Sequence, residues 1–257
     1  DQDLVEQLEK RLRKSVMNEI MVNTKVTEIE ALKTKVKVTL KGDDLDEQRD
    51  YDKVLISVGR RPNSADLGLE DIGVKIDDKG FIVTDNQRRT DLDHIFCIGD
   101  VAGEPMLAHK ATYEARVAVE ALAGMPTHFE AQAIPAVVFT DPEIAWAGLT
   151  ETQCRDRGIP HKIARFPWAA SGRATTLDRN DGLTKMVIDP HNGRLLGIGI
   201  VGVHAGELIA EGTLAVETGA LAEDVQLTIH AHPTLSETVM EAAEMVHGAS
   251  AHYVARK

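Results

Sequence analysis

The sequence has 257 residues, 43% of them hydrophobic, with 41 acidic and 29 basic side chains and a net charge of -12. That length and composition suit one large domain or two modest ones with packed cores. The acidic balance argues against a nucleic-acid binder, which needs a basic face to release counterions, and no apolar run is long enough to span a bilayer.

Leu4, Leu8 and Leu12 recur every four residues, which predicts an amphipathic helix over residues 3–14. The chain opens inside this pattern, without Met and without a signal-peptide profile, so it is expected to be a piece of something longer. Strands are expected at 20–22, 26–29 and 36–40, the last with Val36, Val38 and Leu40 alternating onto one face. Residues 42–50 read as a polar turn. Residues 54–58 (VLISV) form a near-continuous apolar run, the pattern of a strand buried on both faces. A second short buried strand is expected at 95–98, ending at Gly99-Asp100. Pro105 then opens a helix to about Ala123, Gly124 suits its C-terminal cap, and 124–132 reads as a linker.

From Ala133 the pattern changes. Strands at 134–139, 161–166, 183–188 and 195–201 mix with helices at 151–157, 206–218 and 234–247. The expected fold is therefore an α/β portion followed by a separate α+β domain large enough to fold as a unit.

Three stretches carry candidate chemistry. A buried strand that delivers Asp100 to a sheet's C-terminal edge places a carboxylate where open α/β sheets bind ligands, and there it could accept hydrogen bonds from sugar hydroxyls. The same Asp could equally cap a turn. The helix start at Pro105-Met106-Leu107-Ala108-His109 would present free N–H groups to negative charge, or be an ordinary helix start with His109 on its surface. The third stretch is His230-Ala231-His232-Pro233-Thr234-Leu235-Ser236-Glu237. Here Glu237 fits a capping box with Thr234, and His230 and His232 could share one strand face and bind a metal. Alternatively, Glu237 orients the His232 ring and stabilises its protonated form, making His232 a base that takes a thiol proton. The two cysteines, Cys97 and Cys154, form no CxxC or zinc pattern, so a disulfide-built secreted protein is not expected and a cytoplasmic setting is the default.

Read together and in order, six stretches resemble the pyridine nucleotide–disulfide oxidoreductases, and within them the dihydrolipoamide dehydrogenases. They are Val58-Gly59-Arg60-Arg61-Pro62-Asn63, Ile98-Gly99-Asp100-Val101, Pro105-Met106-Leu107-Ala108-His109-Lys110-Ala111, Phe139-Thr140-Asp141-Pro142-Glu143, Phe166-Pro167-Trp168-Ala169-Ala170-Ser171-Gly172-Arg173-Ala174 and the His230 to Glu237 stretch. Glutathione reductases differ by two serines where Leu235-Ser236 stands, and mercuric reductases by paired C-terminal cysteines where the chain reads Tyr253-Val254-Ala255-Arg256-Lys257.

The resemblance implies FAD, a redox disulfide, NAD as electron acceptor and oxidation of protein-bound dihydrolipoyl groups. It implies residues 1–57 as the end of a Rossmann-like NAD-binding domain, 58–132 as a central FAD-contacting segment and 133–257 as the interface domain of a homodimer. Asp100 would hold the ribitol side of FAD, and Met106, Leu107, Ala108 and His109 the flavin end. Gly59 would let backbone approach the NAD site, with Val26 beside the adenine region. His232 would be the base and Glu237 its orienter, reaching into the partner's active site. Lipoyl domains of 2-oxoacid dehydrogenase complexes would be the partners.

The family's FAD-binding glycine loop and Cys-x4-Cys disulfide have no counterpart in this sequence, and Cys97 and Cys154 fit neither spacing nor context. The chain alone is therefore expected to be inactive. Smaller departures are Ala115, where Gly often follows the Glu, and His204 in a loop usually rich in Gly and Pro. Two other functions compete: a non-catalytic dimerisation module, and a metal-dependent hydrolase built on His230 and His232.

Overall fold

A computed structural model describes residues 1–255. The leucine repeat forms helix α1 (Gln2–Ser15), and α1 is followed by a three-stranded antiparallel meander, β1 (Lys25–Ala31), β2 (Val36–Lys41) and β3 (Asp46–Tyr51). Val38 and Leu40 point to the buried side of β2, as their alternation requires.

The segment expected as a polar turn at 42–50 contains β3. The turn itself is only Gly42 to Leu45, closed by Gly42 N–H donating to the Leu45 carbonyl at 2.7 Å. β3 is polar on both faces, so it carries no hydrophobic alternation. Its side chains pair across the ladder instead, Lys41 with Asp46 at 3.2 Å and Lys35 with Asp50 at 2.5 Å.

Two expected strands are absent. Residues 20–22 are irregular, and 54–58 form no strand, with Leu55 91% and Val58 92% exposed. A near-continuously apolar strand is stable between parallel neighbours and beneath helices, and the described residues place none beside it. The 95–98 segment is also not a sheet strand. It is held by one bridge, Phe96 to Arg89, and by Cys97 N–H donating to the Arg88 carbonyl at 2.9 Å. Only Cys97 of its core positions is deeply buried, in a small cluster with Val74 and Ile82.

Helix α2 (Ala108–Leu122) starts three residues after Pro105, because Leu107 is still extended (φ -130, ψ 134). Gly124 follows it with φ 78, the left-handed geometry expected of a helix stop.

The remainder is a five-stranded antiparallel sheet in the order β4-β5-β8-β7-β6. Its strands are β4 (Ala136–Val138), β5 (Glu143–Gly148), β6 (Lys162–Pro167), β7 (Leu183–Ile188) and β8 (Leu195–Gly202). β5 was not foreseen; its buried residues include Ala145 and Ala147, too small to mark a strand. Helix α3 (Glu151–Asp156) has a capping box between Thr150 and Gln153. Helices α4 (Gly172–Thr176) and α6 (Ala222–Leu227) are too short to show periodicity. Helices α5 (Ala205–Thr218) and α7 (Glu237–Glu244) cover one face of the sheet, α5 over β5 and β8, α7 over β6 and β7. α7 begins later than the expected 234, and a 3-10 turn, Met245–His247, extends it.

α1 covers the other face. Leu4 lies against Gly199 so closely that a Cβ at 199 would sit 2.6 Å from Leu4 Cδ1. Beneath α1 the Lys185 side chain is 1% exposed, with Nζ 3.0 Å from Asp1, 2.9 Å from Asp3 and 2.5 Å from Glu151. Coverage on both faces explains why every residue of β7 is buried.

Candidate functional site

At the start of α7 the chain bends through residues 231–236, and Glu237 is the first helical residue. Its two carboxylate oxygens do different work. Oε2 accepts the Thr234 N–H at 2.8 Å, which is half of a capping box, and Oε1 lies 2.9 Å from Nδ1 of His232. The Thr234 hydroxyl does not complete the box; it donates to the Ala231 carbonyl at 2.6 Å. The capping and the His-orienting readings of Glu237 therefore hold together, one oxygen each. Burial pushes the Glu237 carboxyl up, but the Thr234 N–H and the His232 ring outweigh it and hold the group below the ordinary glutamate value.

His232 is 70% exposed at its side chain, whereas Glu237 is 13% exposed. With Nδ1 turned to Glu237, Nε2 makes no hydrogen bond among the described residues. His230 contrasts with it. Its side chain is buried and both ring nitrogens are engaged, Nδ1 with the Thr228 carbonyl at 2.8 Å and Nε2 with Glu211 at 2.7 Å. The two imidazoles turn to separate carboxylates and do not converge, and among the described residues no group of three or more His, Cys, Asp or Glu side chains is arranged to hold a metal ion.

The site rests on a buried polar chain that sequence reasoning did not find. Trp168, fully buried, donates from Nε1 to Thr184 Oγ1 at 2.9 Å; Thr184 donates to Thr238 at 3.0 Å; Thr238 donates to the Leu235 carbonyl at 2.7 Å. This ties the loop before α7 to β7. Thr238 on a buried helix face was a weak signal; Thr184 and Trp168 gave none, being distant in sequence.

A second cluster gathers at the N-terminus of α2. Leu107 offers no side-chain cap, so the N–H groups of the first turn are left free. Asp100 stands beside them, about half exposed, 3.1 Å from Arg60, whose guanidinium also donates to the Met106 carbonyl. Beneath lies a buried ionic knot: Glu114 takes Lys110 and Arg88, each at 3.0 Å, and its other oxygen accepts the Gly99 N–H at 2.7 Å. The knot fixes the Gly99-Asp100 turn to α2. Its sequence signal was the four-residue spacing of Lys110 and Glu114. Uncapped donors next to an accessible carboxylate fit a polar, hydroxyl-bearing group whose ring takes on negative charge, as a flavin's does on reduction.

The other expected residues lie apart. His109 uses Nε2 on the Pro135 carbonyl at 2.6 Å, tying α2 to the second domain. Gly59 has φ 117 and open space around it, and Val26 is exposed on β1 opposite Leu40. No hydrogen bond or ion pair among the described residues links the His232–Glu237 pair to the Asp100 cluster. Both thiols are inert by environment: burial, then the Glu114 carboxylate, pushes Cys97 up to about 11, and burial also raises Cys154.

Two family models match. Residues 1–115 match the pyridine nucleotide-disulphide oxidoreductase model, and residues 134–243 match that family's dimerisation domain. The chain belongs to the pyridine nucleotide-disulphide oxidoreductase family. Asp100 and the α2 start fall in the first matched region, His232 and Glu237 in the second.

Dihydrolipoyl dehydrogenase from Haemophilus influenzae is 44% identical over 96% of this chain, and that from Geobacillus stearothermophilus 45% over 97%. This chain covers 52% and 53% of their lengths, so it spans about half of these curated relatives and corresponds to their C-terminal half. Among solved structures, LpdA from Mycobacterium tuberculosis superposes with a TM-score of 0.87 at 25% identity, over 96% of this chain and 53% of that one. The HOCl-induced flavoprotein disulfide reductase RclA from Escherichia coli gives 0.86 at 26%, over 96% and 56%. The mixed α/β front followed by an α+β dimerisation domain agrees with the expected fold class. No helix of the described residues is long and apolar enough to cross a membrane.

Proposed function

We propose that this chain is the C-terminal half of a cytoplasmic flavoenzyme that oxidises protein-bound dihydrolipoyl groups to lipoyl with NAD as acceptor. The observation that carries the proposal is the His232–Glu237 pair, with Nδ1 fixed at 2.9 Å and Nε2 free, on a chain similar to dihydrolipoyl dehydrogenases over nearly its whole length.

His232 Nε2 takes the proton of a substrate thiol, and the resulting imidazolium is stabilised by the ionised Glu237 carboxylate. The thiolate is then the nucleophile toward a redox disulfide, which lies in the part of the full-length protein outside this chain. FAD, when bound, supplies the electron relay from that disulfide to NAD. In this chain Asp100 would hold its ribitol side, and Met106, Leu107, Ala108 and His109 would meet the flavin end mainly through backbone N–H groups. Gly59 and Val26 would border the NAD site.

In this reading residues 1–57 end the NAD-binding domain, 58–132 contact FAD and 133–257 form the interface of a homodimer. His232 would serve the partner's active site, and lipoyl domains of 2-oxoacid dehydrogenase complexes would deliver the substrate.

The test is His232→Ala in the full-length protein. Dihydrolipoamide oxidation should fall by about 100-fold or more, the contribution of a positioned general base, while flavin absorbance persists. Unchanged turnover would remove His232 from the mechanism.

A further inference from the structure

Glu237 is not the only carboxylate that α7 turns toward a histidine. Glu241, one turn on, is 2% exposed. It accepts the Ser250 hydroxyl at 2.9 Å, the His252 backbone N–H at 3.3 Å and, on its other oxygen, His252 Nδ1 at 2.6 Å. The next carboxylate, Glu244, accepts the Ala251 N–H at 3.1 Å. The segment after α7 is thus clamped back onto the helix, and its edge is closed by a bridge from Ala249 to Val254 and by Tyr253 packing edge-on against Phe166.

We propose that Glu241 and His252 act as a positioning pair that supports the Glu237 carboxylate from the next turn of α7 and, through it, the His232 ring. The proposal rests on His232 being the base.

The physical need is plain. Two carboxylates four residues apart on a helix repel each other, and a buried one without a counter-charge is costly. His252 supplies that counter-charge. The groups facing it are Glu237, Glu241 and Glu244 on α7; from β6, Lys162 is turned to the Val246 carbonyl. The hydrogen bond to Glu241, then its charge, raises His252 above the ordinary histidine value, and the His252 charge in turn helps keep Glu237 ionised. His252 touches no reacting atom; it acts through Glu237.

The experiment follows the Glu237 side-chain carboxyl by carbon-13 NMR during an acid titration of the full-length protein. His252→Gln removes the cation, and the Glu237 midpoint should rise by about 0.3 of a pH unit, the effect of one charge about 10 Å away in water-like surroundings. His252→Lys restores the cation and should return the midpoint most of the way. An unmoved midpoint in His252→Gln overturns the proposal, and so does an equal rise in both variants, which would mark a purely structural tail contact. If either variant loosens the tail, Glu241→Gln gives the second reading. There the His252 midpoint should fall toward an ordinary histidine, and no fall overturns the pairing. None of these readouts needs turnover. Their failure leaves the role of His232 standing, and failure of the His232→Ala assay leaves the titrations unaffected.

Discussion

Thr184, buried near the start of β7, donates its hydroxyl proton to Thr238 at 3.0 Å, and Thr238 is the residue after Glu237 on α7. The sheet interior thereby sets the position of the helix start that presents the His232–Glu237 pair.

Thr238→Val keeps the shape but leaves the Thr184 hydroxyl without its acceptor. An unsatisfied buried donor costs about 1–3 kcal/mol, so urea unfolding should shift by that amount. A variant as stable as the wild type would show that the Trp168–Thr184–Thr238 chain holds nothing in place.

Lys185 is enclosed by Asp1, Asp3 and Glu151, with Arg165 also on Asp3 at 2.7 Å and Glu151 at 2.6 Å. Lys185→Ala strands these carboxylates and should cost about 3–5 kcal/mol, whereas Lys185→Met, which fills the space, should cost less. Equal loss in both would assign the stability to charge rather than to packing.

Acid should release α1. Burial raises the Asp3 and Glu151 carboxyls, but Lys185 and Arg165 more than offset it, so both titrate below their ordinary values of 3.8 and 4.5. Carboxyls depressed in the folded state contribute stability above their unfolded values, and that stability is lost as pH falls through the folded ones. His252 has the opposite sign: raised above 6.5, it stabilises at lower pH, and its contribution disappears as pH rises through its folded value. Stability followed by circular dichroism should therefore decline on both sides, the acid limb shrinking in Lys185→Met and the alkaline limb in His252→Gln.

Gly199→Ala places a methyl group 2.6 Å from Leu4 Cδ1. Leu4 can swing aside at an overpacking cost of about 1–3 kcal/mol, so α1 should become sensitive to limited proteolysis while the five-stranded sheet stays protected. Unchanged cleavage would mean that α1 does not depend on this contact.

The thiols should be silent in the native chain. Cys97, pushed up to about 11, and the buried Cys154 should react with a disulfide reagent only as fast as the protein unfolds. Fast native labelling of Cys97 would contradict its burial in the Val74–Ile82 cluster.

Much of this was legible locally. The leucine spacing gave α1, and the apolar runs gave β7 and β8. The stretch from His230 to Glu237 gave the candidate pair, because a His and a carboxylate five residues apart across a helix start can meet whatever surrounds them. Local order in the chain also carried the family resemblance, and the matches at 1–115 and 134–243 bear it out.

Only the tertiary structure decided the rest. Hydrophobicity cannot show which of two neighbouring histidines is sequestered: His230 is spent on Glu211 and Thr228, while His232 keeps a free nitrogen. It cannot show that 54–58, apolar but for Ser57, has no neighbouring strand among the described residues, or that polar β3 does, since burial and pairing depend on what lies beside a segment in space. The supports of both clusters, Trp168 through Thr184 to Thr238 and Arg88 with Lys110 to Glu114, join residues far apart in the chain. A sequence lists such groups as isolated polar residues. Folding makes them partners, because a buried polar group is tolerated only where another meets it.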